Sequence, residues 1–154
     1  MTFTRFPELQ VLSLNELDLV HGWSCFRSNP EDPFVGWTAP WRTESLRHYL
    51  SLGWSMFKRD VQTGELLGYV LAQPVLFMRK QTQSVWVEYV DALTPALKAE
   101  LLEAVVRVSR EKHMQRVLFE STLLPLDQGL GEFIHDRGGR VIEEDIIEIA
   151  TTKG

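Results

Sequence analysis

A chain of 154 residues, 44 % hydrophobic and 24 % charged, has the make-up of one soluble globular domain and can bury a core without disulfides or metal. Its net charge of −5 and the lack of a basic run argue against nucleic acid as a partner. Cys25 is the only cysteine, which excludes a disulfide framework and a cysteine-rich metal site and points to a reducing compartment.

The opening residues, MTFTRFPELQ, show no basic start followed by an apolar run, and no apolar stretch approaches bilayer length. A cytoplasmic protein without a membrane partner is expected. LQVLSL (Leu9 to Leu14) reads as a short strand, with Asn15 placed to cap the next element. From Glu16 to Arg27, Leu17, Val20, Trp23 and Phe26 recur at a spacing that fits one helical face. SNPEDPFVGWTAPW is dense in proline and turn formers and must be a loop. Thr43 can cap a helix from Glu44 to about Leu52, with Leu46, Tyr49 and Leu50 inward and Gly53 as the stop. WSMFKRD, ELLGYVLAQPVLFMRK and SVWVEYVD, joined by VQTG and QTQ, then read as an antiparallel meander. Pro74 cannot donate to a ladder, so a bulge or break is expected there.

From Pro95 to about Lys112, Leu97, Leu101, Val105 and Val108 recur at helical spacing. RVLFEST (Arg116 to Thr122) is a strand, LDQGLGEFIHDRGG a short helix ending in glycines, and RVIEEDIIEIATT one closing strand, long or kinked. No repeat or linker divides the chain, so 1–154 reads as a single domain. The helix between SVWVEYVD and RVLFEST forces those strands to run parallel through a right-handed crossover. The fold class is therefore α/β (α+β): a mixed, mostly antiparallel sheet with one parallel β-α-β unit and helices on both faces.

Ligands in such sheets lie beyond the carboxyl ends of the parallel strands, at the junction Asp91-Ala92-Leu93-Thr94-Pro95. A helix N-terminus attracts a pyrophosphate through free N–H groups and a partial positive charge. Here no glycine opens the backbone. Pro95 removes one donor, Thr94 as N-cap would take another, and Ala92 and Leu93 hinder approach. Asp91 adds the wrong charge, and Lys98 is the first cation after the strand. A self-capped helix that needs no ligand and a phosphate site that draws donors from elsewhere both remain open.

The order of elements resembles that of the GCN5-related N-acetyltransferases (GNAT) over nearly the whole chain. The resemblance implies acetyl-CoA or another acyl-CoA, held where the fourth and fifth strands, SVWVEYVD and RVLFEST, splay apart. The family's turn Gln/Arg-x-x-Gly-x-Gly/Ala is represented by DALTPALKAE, which matches at no glycine, so this pyrophosphate motif is degenerate. A tyrosine found in family patterns like YEKLGF falls on Ile134 in FIHDRGG, which keeps Gly138. Trp86, Tyr89, Val90 and Lys98 are the cofactor-binding candidates the resemblance implies, with pantetheine running along Trp86–Val90.

Acyl transfer to an amine needs a base for the ammonium proton and donors for the developing oxyanion. By resemblance a glutamate on the fourth strand serves as base, and Glu88 matches. Glu120 sits similarly on the parallel neighbour, and the two could form an acidic pair suited to an amine. The plainer reading has each facing solvent or pairing with an arginine. His135 could relay protons or simply face solvent, while His21, His48 and His113 show no metal-ligand spacing. The stretch CFRSNPEDPFVGWTAPWRTE sets Phe26, Phe34, Trp37 and Trp41 among prolines, more apolar surface than a loop carries unless it covers something. By resemblance it walls the acceptor site, with Phe34, Trp37 and Trp41 shaping an apolar pocket and Arg42 orienting a charge. A lid over the sheet edge and a dimer contact are equally open. Three functions are consistent with these residues: an acyl-CoA-dependent N-acyltransferase acting on a small-molecule amine or a protein, a catalytically inactive GNAT-fold binding module that has lost coenzyme A, and a structural homodimer.

Overall fold

A computed structural model describes residues 9–28, 43–75, 83–120, 136, 139–143 and 146–151. The first strand, β1 (Leu9–Val11), is shorter than expected. Ser13, not Asn15, starts the helical segment. Its side chain accepts from the Asn15 N–H, while the Glu16 carboxylate takes the Ser13 N–H at 2.9 Å. Only Ser13 has a glutamate three residues on to complete this reciprocal cap. A short 3-10 turn (Leu14–Glu16) leads into α1 (Leu17–Ser28). Helix α2 (Thr43–Leu50) ends near Gly53, whose φ of +79° is the left-handed turn glycine accepts most readily.

The meander forms as expected. Strands β2 (Met56–Arg59) and β3 (Leu66–Val75) are joined by a turn in which Asp60 accepts the N–H groups of Gln62 and Thr63. These two bonds hold the Asp60 carboxyl below its ordinary pKa. Strand β4 (Ser84–Ala92), helix α3 (Pro95–Glu111) and strand β5 (Arg116–Glu120) make the crossover. The parallel pairing runs from Ser84 opposite Arg116 to Val87 opposite Phe119.

Two expectations need correction. Pro74 sits inside β3 opposite Val85, and the register shift falls instead between Leu71 and Ala72. The N–H of Ala72 turns away from β4 to the Ser55 hydroxyl at 3.1 Å, and the missing N–H of Pro74 lies along that same edge, beyond the last β2 pair. A proline at an unpaired edge costs no ladder bond. The closing run is two strands, not one: β6 (Arg140–Glu143) and β7 (Ile146–Ala150) form an antiparallel hairpin. Among the described residues β5 offers five residues, all paired with β7, and folding back gives β7 a second partner in β6.

Among the described residues seven strands lie in the order β1-β2-β3-β4-β5-β7-β6. Helix α3 packs Leu97, Leu101, Leu102, Val105 and Val108 on one face, against Val70, Val85, Val87, Val90, Val117 and Phe119. On the other face Leu12, Val20, Leu46, Leu50, Phe57 and Leu71 join α1 and α2 to the sheet. Each such buried side chain stabilises the fold by about 1.5–3 kcal/mol before entropy is counted. Buried Glu148 on β7 is balanced by Arg116 on β5, Nε to Oε2 at 3.0 Å.

Candidate active site

The valines of β4 show where the site begins. Val85 and Val87 face α3, and so do Val90 and Ala92, which places two residues rather than one between Val87 and Val90. The register agrees: Leu71 stands opposite Tyr89 and Ala72 opposite Val87, leaving Glu88 as the extra residue of a β-bulge. Alternation puts Glu88 on the α1/α2 face with Trp86, and the bulge keeps Tyr89 on that same face. The bulge also marks the point where β4 leaves β5, because that ladder stops at Val87–Phe119 while β3 and β4 stay paired to Ala92. Beyond Val87, among the described residues, β4 has a strand partner on one side only.

Trp86 and Tyr49 reach the Glu88 carboxylate, and Gln73 and His48 back Tyr49. Trp86 Nε1 donates to Glu88 Oε2 at 2.5 Å, and the Tyr49 hydroxyl of α2 also hydrogen-bonds it. Gln73 of β3 donates its amide Nε2 to Tyr49 Oη at 3.4 Å, while its Oε1 meets His48 Nε2 at 3.0 Å. An amide oxygen can only accept, so His48 carries its hydrogen on Nε2. The donors therefore point in one direction, from His48 through Gln73 and Tyr49 to Glu88. Burial, then the charge of Glu88 and the bond to it, push the Tyr49 hydroxyl up to about 12, so it stays a donor at neutral pH. This arrangement can hold a carboxylate in one orientation just beyond the last β4–β5 pair.

The remaining site candidates are more scattered. Glu120 is exposed at the end of β5, opposite Ile146 of β7 and outside this network. The Trp86 indole N–H is engaged by Glu88. Tyr89 packs its ring at 6.0 Å from Tyr69 on the α1/α2 side. The Val90 side chain is buried against α3, so only its backbone can face the gap. Lys98 is half-buried in the first turns of α3. Phe34, Trp37, Trp41, Arg42, Ile134 and His135 lie outside the described residues. Tyr49, His48 and Gln73 were missed as site residues. One signal was readable: the spacing of Val85, Val87, Val90 and Ala92, two, then three, then two, marks a phase change at Glu88.

The junction after β4 is self-satisfied. Thr94 has extended dihedrals and its Oγ1 accepts the Leu97 N–H at 3.2 Å; its carbonyl takes the Lys98 N–H at 3.2 Å. Pro95 has no N–H, which leaves Ala96 in the first turn. Upstream, the N–H groups of Leu93 and Ala92 bond Leu67 O at 3.0 Å and Asp91 Oδ1 at 2.9 Å. Beyond Val87 β4 has no second strand partner among the described residues, so the amides of a pantetheine arm could meet its backbone there. The turn does not fit a pyrophosphate. Among the described residues no cluster of His, Cys, Asp and Glu could hold a metal ion, and no helix is long and apolar enough to cross a membrane.

No protein-family model and no curated protein matches this sequence. Solved structures do. The loading GNATL domain of CurA from Lyngbya majuscula superposes with a TM-score of 0.67 at 10 % identity, over 93 % of this chain and 96 % of that one. PaiA N-acetyltransferase from Thermoplasma acidophilum, in complex with coenzyme A, gives a TM-score of 0.62 at 12 % identity, over 93 % and 98 %. Wild-type TTHA1254 from Thermus thermophilus gives 0.59 at 20 % identity, over 88 % and 90 %. The chain has the GNAT fold.

Proposed function

We propose that this protein is an acyl-CoA-dependent N-acyltransferase with a divergent cofactor loop, acting on an amine of a small molecule or a protein. The observation that carries the reading is Glu88, lifted out of the ladder by a bulge at the point where β4 and β5 part and aimed by Trp86 and Tyr49. Likeness of fold to acetyltransferases supports it as analogy. Bound acyl-CoA would supply a thioester. Glu88 takes the proton that an acceptor ammonium must lose before its nitrogen can attack. Trp86 and Tyr49 keep the carboxylate turned toward the gap through that transfer. The β4 edge beyond Val87 orients the pantetheine amides, and Trp37, Trp41, Phe34 and Arg42 would form the acceptor wall.

The test is release of free thiol from acetyl-CoA and longer acyl-CoAs, with a panel of primary amines and basic peptides as acceptors. Turnover that falls about a hundredfold or more in Glu88→Gln supports a base at this position. Turnover unchanged in that variant sinks the assignment. The self-capped Thr94 turn favours a second reading, an inactive module that no longer binds coenzyme A. Calorimetry separates the two: a protein that neither binds coenzyme A nor releases thiol is the module. A bound acyl-CoA at about 100 times its Kd would raise stability by about 2.7 kcal/mol, visible as a higher Tm.

A further inference from the structure

On the α1/α2 face of the sheet, away from the Glu88 network, lies an open groove of about 560 Å³, within the size range of small-molecule sites. Helix α1 forms its long wall with Asp18, Leu19, Gly22 and Trp23; Glu65 and Leu66 at the start of β3, and Leu93 after β4, complete it. Its body is apolar, and both of its charged residues are acidic. Among the described residues neither Asp18 nor Glu65 has an ion-pair partner.

Gly22 is the second observation. In the middle of α1, glycine costs about 1 kcal/mol relative to alanine. Among the described residues neither packing nor dihedral angle requires it: a Cβ built there meets none of them within 4 Å, and the φ is not left-handed. What the missing side chain does is leave the groove open along α1. Leu93, 53 % exposed at the far side, is likewise an apolar surface lacking cover.

We propose that this groove binds an organic ammonium ion with an apolar body. The hydrocarbon lies over Gly22 against Leu19, Trp23, Leu66 and Leu93, and the charged end sits between Asp18 and Glu65. Two carboxylates repel an anionic ligand and leave a neutral one without its polar partner, so the cation is the selected species. Trp23 packs edge-on to Tyr69 at 5.7 Å, and Tyr69 meets Tyr89 beside Glu88, so the groove adjoins the candidate active site without sharing its residues. The site does not depend on the acyl-transfer reading.

The experiment is calorimetry on the full chain with hexylammonium, hexan-1-ol and hexanoate, without any acyl donor. Hexylammonium should bind saturably, hexan-1-ol about tenfold more weakly or worse, and hexanoate not at all. The Asp18→Asn, Glu65→Gln double variant should lose about tenfold in affinity, equal to 1.4 kcal/mol. Gly22→Leu fills the groove and improves helix propensity, so it should stay folded and lose binding. Glu88→Gln should bind as the parent does. Absence of saturable binding by the parent, or equal binding of hexan-1-ol, overturns the proposal. So does loss of binding in Glu88→Gln with none in Gly22→Leu, which would place the amine in the candidate active site.

Discussion

Near the end of β4, the Thr94 side chain caps its own helix three residues on, whereas at Glu88, half a strand earlier, side chains from α2 and β4 reach one carboxylate and Gln73 of β3 backs Tyr49. Both places lie beyond Val87, the last β4 residue paired with β5. The turn is closed by short-range bonds and needs no ligand. The bulge gathers half-buried polar groups and the buried Tyr49 around one carboxylate, and their hydrogen bonds fix its orientation. The contrast puts the candidate chemistry at the bulge and leaves the turn a structural part. Any donor molecule would then be gripped by its pantetheine arm more than by its phosphates.

The largest effect that could break this contrast is at Glu88. Glu88→Gln should lower kcat by about a hundredfold or more while KM changes little and the Tm stays close to the parent's. If kcat holds, the bulge is not the reacting end.

Alkaline titration sharpens the same point. Absorbance at 295 nm should show Tyr49 ionising at about 12, a phase that Tyr49→Phe removes. Glu88→Gln should bring it down only part of the way toward 10.0, because burial is the larger cause and remains. The folded-state pKa is raised, so the contribution of neutral Tyr49 to stability is fully present below pH 10 and is lost as pH climbs through about 12. Denaturant midpoints from pH 9 to 12 should fall less steeply in Tyr49→Phe.

On the turn side, Gly68→Ala tests how firmly the end of β4 is held. A Cβ there would lie 2.7 Å from Ala92 Cβ and 3.0 Å from backbone atoms of Ala92 and Asp91. Those backbone atoms cannot swing away, so a loss of about 1–3 kcal/mol in chemical denaturation is expected. An unchanged midpoint would mean that β3 and β4 adjust easily here.

The smallest effects belong to the Thr94 turn itself. Thr94→Ala should cost about 1 kcal/mol through the lost cap, with little change in any activity. Thr94→Gly, Pro95→Gly opens the backbone, and coenzyme A affinity should rise by about tenfold, the worth of roughly one added N–H to phosphate bond. Affinity already micromolar in the parent, with no gain in the variant, would erase the contrast.

How much of this was legible beforehand divides along chain distance. The Thr94 cap, the Pro95 start of α3, the meander and the parallel β4–β5 crossover were all readable, because short turns, one helix and neighbouring residue types decide them. Ser13 in place of Asn15 was a near miss of the same local kind, since the partner that decides it, Glu16, stands three residues away. The closing hairpin was not readable from RVIEEDIIEIATT, because whether that run folds back depends on which strand borders it. The His48–Gln73–Tyr49–Glu88 network joins residues far apart in the chain, and no local propensity brings α2 over the bulge of β4; the packing of Leu46 and Leu50 onto the sheet does. Sequence alone thus determined the elements and the self-sufficient turn, because hydrogen bonds that close within a few residues depend on residues in view. Tertiary structure alone decided which carboxylate is held and by what, because those bonds exist only after apolar burial has brought distant strands and helices together.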